Sequence, residues 1–136
     1  MNYATLEQLA TIGLSSKALN GIPIARQQLA LQTASDVVSG YLNRVFTLPL
    51  TQFGLDVTRA TCVLAAYDLR VSLGFNPAPG SSDEELRLRV EQTTQWLRDV
   101  AKGLVRPVGI VDSGVVVSGG SNGGAAVAIS DPPRGW

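Results

Sequence analysis

From Thr5 to about Lys102, apolar residues recur at spacings of three and four with polar positions between them. That period places one face of a helix against a core. The pattern begins at "TLEQL", where Thr5 and Gln8 have the spacing of a capping box, each side chain satisfying the other's backbone N–H. Leu6, Leu9 and Ile12 mark a short first helix that stops near Gly13. Residues 15–21 read as a connection with room for one helical turn. Pro23, whose fixed φ suits a first helical position, opens a long second helix running to near Phe46. Its predicted buried stripe is Ala30, Ala34, Val37, Tyr41 and Val45, widened by Val38 and Leu42. Pro49 disfavours helix at Leu48, so "FTLPL" leaves as an extended segment.

Asp56 is the expected N-cap of a third helix that runs to near Gly74. Val57, Ala60, Leu64, Tyr67 and Val71 form one stripe on it, and Cys62, Ala66, Leu69 and Leu73 form another. Two stripes require cover from more than one side, which makes this the central helix. "FNPAPGSS" breaks the chain. Ser82 and Glu85 then suggest a second capping box, with Asp83 and Glu84 adding negative charge at the positive end of a fourth helix. That helix carries Leu86, Val90, Thr93, Leu97, Val100 and Leu104 on its apolar side. Glu85–Arg89 and Arg87–Glu91 are spaced to pair on the other side, and Gly103 is a natural stop.

The fold expected from this pattern is all-α. A four-helix bundle-like body spans residues 1–104, and an extended, partly β-prone C-terminal arm spans 105–136. Within the arm, "VGIV" and "GVVVS" are β-prone runs around a turn at Asp112, Ser113 and Gly114, and residues 119–124 have a linker composition.

Composition narrows the function. Lys plus Arg equals Asp plus Glu, 11 against 11, and there is no histidine. A sequence-independent grip on nucleic acid needs a cationic surplus that this balance does not supply. One cysteine and no histidine argue against a zinc site, and the usual general base is missing. No catalytic set, metal or cofactor is therefore expected, and the chain is not expected to be an enzyme. The polar, helical opening and the lack of an apolar run of about 20 residues predict a protein made and used without secretion or membrane insertion.

Cys62, among Ala60, Val63 and Leu64, reads as a small core residue and not as a nucleophile. Asp68 and Arg70 interrupt the most apolar helix without a second carboxylate or base at a recognisable spacing, so they read as structural charges. "SGGSNGG" lacks the lysine and following helix of a phosphate-binding loop and reads as a tether. Val115, Val116, Val117 and Ser118 form an uncharged β-prone run that a sequence keeps only if something covers it. The expected cover is a neighbouring subunit, the other reading being the arm folded back on its own helices. Arg134 and Trp136 are residue types that act as anchors in pockets, and Pro132 and Pro133 stiffen the approach to them.

Three motifs carry a resemblance. "SGYLNRVFTLPL" ends the second helix, "WLRDVAKGLV" ends the fourth, and "RGW", with Arg134, Gly135 and Trp136, closes the chain. With the opening "YATLEQL", they resemble the Mu-like tailed-phage head–tail connector family over nearly the whole chain. Gly40, Tyr41, Leu42, Arg44, Phe46, Leu48, Pro49 and Leu50 carry the first motif. Leu97, Val100, Ala101, Lys102 and Gly103 carry the second, with Gly and Lys exchanged. The connection "NPAPGSSDEEL" and the longer, more apolar glycine-rich tail depart from the family pattern.

The resemblance implies a structural adaptor in the virion. Copies of the chain, about twelve in such assemblies, would form a ring under the portal protein. The ring would receive a tail-completion or tail-terminator protein and let DNA pass without sequence-specific binding. Pro132, Pro133, Arg134, Gly135 and Trp136 would then dock on the portal. The alternative is a small helical DNA-binding or regulatory protein. Its best basic surface, Arg87, Arg89 and Arg98, is interleaved with Glu84, Glu85, Glu91 and Asp99.

Overall fold

The computed structural model describes residues 2–74 and 81–112. Its order is helix α1 (Leu6–Gln8) continuing as a π-helical turn (Leu9–Gly13), then α2 (Ser16–Leu19) and α3 (Ile24–Leu42). Strand β1 (Leu50–Gln52) follows, then α4 (Leu55–Ser72), α5 (Ser82–Ala101) and strand β2 (Val111–Asp112). The body is all-α and bundle-like, with the two short strands as its only sheet among the described residues. The expected connection at 75–80 lies outside the described residues.

The Thr5–Gln8 capping box forms as read: Gln8 N–H donates to Thr5 Oγ1 at 3.1 Å and Thr5 N–H to Gln8 Oε1 at 2.9 Å. Beyond Gln8 the helix widens, which brings Leu9 fully into the core while Gly13 lies against α4. The expected turn in residues 15–21 is α2, capped by the Ser15 hydroxyl. Gln27, a buried polar residue of α3, donates its side-chain N–H to the carbonyls of Leu19 and Ile22 and so ties this connection to the bundle.

Two of the expected caps move. Ser81, not Ser82, caps α5 by accepting from Glu84 N–H at 3.1 Å. This register turns Asp83 inward, where it is 6 % exposed and meets Arg70. Gly54, not Asp56, precedes α4, and Asp56 sits in its first turn.

The stripe of α3 is also rotated from the expected one. Leu31, Ala34, Val38 and Leu42 are buried with Ala30, whereas Val37 and Val45 face outward and Tyr41 is half-buried. The helix ends at Leu42, and the chain then turns so that Phe46 enters the core. α4 is central, as its two stripes require: it packs on α3, on α5 and on the π-helical turn. The outlying stripe members Val71, on its last turn, and Leu73, just past its end, are exposed. On α5, Leu86, Leu97 and Val100 are buried, but Val90 and Thr93 are only half-buried and Leu104 is exposed.

Two apolar clusters fill the body. One joins α1, α2, the first half of α3 and the second half of α4 around Leu9, Leu31 and Ala66. The other joins the second half of α3 to the start of α4 and the end of α5, around Leu42, Val57, Leu97 and Val100. Each fully buried Leu or Val contributes about 1.5–3 kcal/mol relative to exposure. Tyr3 links the elements around the second cluster. Its amide donates to Ser35 Oγ, its carbonyl accepts from Thr58 Oγ1, its hydroxyl is 2.7 Å from Ser39 Oγ, and its ring meets Phe53 edge-on.

Candidate functional site

Residues 105–112, assigned from sequence to the arm, run back along the body and close over the second cluster. Ile110 is buried there, and the Arg106 guanidinium lies 5.1 Å from the centre of the Phe46 ring, within cation–π range. Two carboxylates fasten the segment. Asp56 Oδ2 accepts from Val108 N–H at 2.8 Å while its Oδ1 accepts from Val57 N–H, so one side chain links the start of α4 to the returning chain. Asp112 Oδ2 accepts from Thr47 N–H at 2.6 Å.

β2 pairs antiparallel with β1, Leu50 facing Asp112, and Thr51 Oγ1 donates to the Val111 carbonyl. Gly54 makes the contact possible: a Cβ there would stand 2.5 Å from the Val108 carbonyl oxygen. Gly109, at φ 72°, turns the chain in a left-handed conformation that favours glycine.

This corner ends at Asp112, the last described residue. It gathers Phe46, Leu48 and Leu50 of "SGYLNRVFTLPL" under the returning segment, across the cis Leu48–Pro49 bond. Val115, Val116, Val117 and Ser118, and Pro132, Pro133, Arg134, Gly135 and Trp136, lie outside the described residues, as does "SGGSNGG". Sequence reading missed Asp56 and Asp112 as fasteners. A carboxylate that accepts from a backbone amide 52 or 65 residues away leaves no periodic trace.

The remaining candidates do not converge on chemistry. Cys62 is fully buried, and burial pushes its thiol up to about 11, so at neutral pH it is an apolar core residue and a poor nucleophile. Arg70 grips Asp83 through two hydrogen bonds, Nε to Oδ1 at 2.9 Å and a terminal N–H to Oδ2 at 3.1 Å, and that bonding raises the guanidinium's pKa. Asp68 stands apart on α4, its pKa raised by partial desolvation. Arg87 pairs with Glu91 along α5, which breaks up the basic surface of the alternative reading. Among the described residues, no group of three His, Cys, Asp or Glu is arranged to hold a metal ion, and no helix is long and apolar enough to cross a membrane.

Two comparisons bear on this arrangement. The sequence profile of the family described as Bacteriophage Mu, Gp36 matches residues 3–125. A protein of Escherichia phage Mu, Gene product J, is 31 % identical over 118 residues, spanning 79 % of this chain and 77 % of that protein.

Proposed function

The chain belongs to the Bacteriophage Mu Gp36 family and is a Mu-like phage protein; on that premise we propose that it is a structural head–tail adaptor and not an enzyme. The observation that carries the reading is the family match from residue 3 to 125, which takes in both the helical body and the base of the arm. A phage protein whose central helix packs on more than one side and whose residues 105–112 are fastened to the body fits a role in making interfaces.

In this reading the body packs beside copies of itself in a ring of about twelve under the capsid portal. DNA passes through the centre without sequence-specific contacts, and a tail-completion or tail-terminator protein joins below. The arm starts from the β1–β2 corner. Val115, Val116, Val117 and Ser118 add a strand to a neighbour's backbone, a mode in which main-chain hydrogen bonds supply affinity. Pro132, Pro133, Arg134, Gly135 and Trp136 dock on the portal, the Arg and Trp acting as anchors.

The test is truncation. The chain lacking residues 130–136 is expected to keep the circular dichroism and unfolding midpoint of the full chain but to lose attachment to portal-bearing capsids in a sedimentation assay. Normal attachment of the truncated chain would show the portal anchor to be wrong.

A further inference from the structure

The outer face of α3 carries apolar and charged residues that nothing within the described chain uses. Leu29 is 60 % exposed and Val37 is 45 % exposed. Gly40 lies on the same face, and a Cβ there would meet nothing within 4 Å. A glycine inside a helix weakens it, and here no internal contact accounts for its presence. Arg26, Asp36 and Arg44 border the face, are exposed, and have no ion pair among the described residues.

The outer face of α5 has the opposite pattern. Leu88, 44 % exposed, stands among Glu84, Glu85, Glu91 and Asp99, interleaved with Arg87 and Arg98; Glu91 pairs with Arg87, and Asp99 accepts from the Gln95 side chain. α3, α4 and α5 pack on one another pairwise, so the backs of α3 and α5 look to different sides of the body. Two different faces on different sides are what a head-to-tail contact between identical subunits requires.

Resting on the adaptor reading, we propose that the outer face of α3 in one subunit receives the outer face of α5 in the next, antiparallel, with Val37 against Leu88. The register follows from the spacing of charges. Arg26 lies eleven residues before Val37, and Asp99 lies eleven after Leu88, about 16 Å along each helix, so the two meet. Towards the other end, Asp36 falls beside Arg87. Gly40 comes opposite the turn of Glu85, where a missing Cβ lets the helices close. The reverse orientation carries Arg26 past the start of α5 and away from Asp99, and so loses this match.

The full chain with Val37→Cys and Leu88→Cys tests the register, since the native Cys62 is buried. Oxidised on portal-bearing capsids, it is expected to give a ladder of disulfide-linked multimers. A control with Val37→Cys and Asp99→Cys is expected to stay monomeric on a non-reducing gel. In parallel, Arg26→Glu is expected to lower capsid occupancy by tenfold or more, because like charges then face each other, and Arg26→Glu with Asp99→Arg is expected to restore it. Wild-type chain that loads onto capsids, with no ladder and no effect of Arg26→Glu, overturns this interface and leaves the adaptor reading intact. Wild-type chain that never loads overturns the adaptor reading, and this interface with it.

Discussion

The corner formed by residues 105–112 and the outer face of α3 differ in how far the fold accounts for their residues. At the corner Gly54, Asp56, Asp112 and Arg106 each have an internal reason. Gly54 leaves room for the Val108 carbonyl, Asp56 and Asp112 accept distant amides, and Arg106 covers Phe46. On α3, Leu29, Val37, Gly40 and the bordering charges have none. Residues that folding does not explain are where assembly leaves its mark. A glycine that cannot be replaced for steric reasons and one that could be replaced freely thus carry opposite information.

Substitution at the two glycines separates these cases most sharply. Gly54→Ala drives a methyl group into a backbone carbonyl that cannot swing aside, and it is expected to destabilise the chain by about 1–3 kcal/mol. A urea titration that moves the midpoint down at constant slope checks this.

A second expected effect belongs to the body's centre. The unfolded Cys62 thiol ionises near its ordinary value of 9.0, whereas the folded one stays protonated to about 11. Above pH 9 the unfolded chain therefore holds fewer protons than the folded one, and stability falls as pH rises towards 11. Over that window the loss reaches about 2 kcal/mol at 1.36 kcal/mol per pH unit, and Cys62→Ala is expected to flatten the slope of stability against pH. Gly40→Ala has the smallest effect and the opposite sign. It is expected to stabilise the isolated chain by about 0.5–1 kcal/mol through helix propensity alone.

What was legible in the sequence follows from the range of the forces involved. Helix periods and the Thr5–Gln8 box are local, and they appear where the pattern puts them. The two stripes of the third predicted helix identified α4 as central before any packing was seen. The buried stripe of α3 lies a fraction of a turn from the expected one because both faces carry apolar residues. Only the packing of α4 and α5 reveals that Val38 and Leu42 lie inward while Val37 does not. Adjacent serines made the cap of α5 ambiguous, and the inward turn of Asp83 towards Arg70 decides for Ser81. The pairing of β1 with β2 was not legible, since strands of three and two residues some 60 positions apart have no period to detect. For the same reason, the eight residues after Leu104 read only as part of the arm, and which of its two readings they follow, reaching out or folding back, is visible only in their bonds to the body.

The most direct test of the account is Gly40→Leu in the full chain, read by two measurements on the same preparation. Leucine is a better helix former than glycine, and its Cβ at that position meets no atom of the described residues within 4 Å. The account predicts an unfolding midpoint equal to or above that of the wild type, together with a loss of ring occupancy on portal-bearing capsids. An unchanged occupancy at that higher midpoint would contradict it.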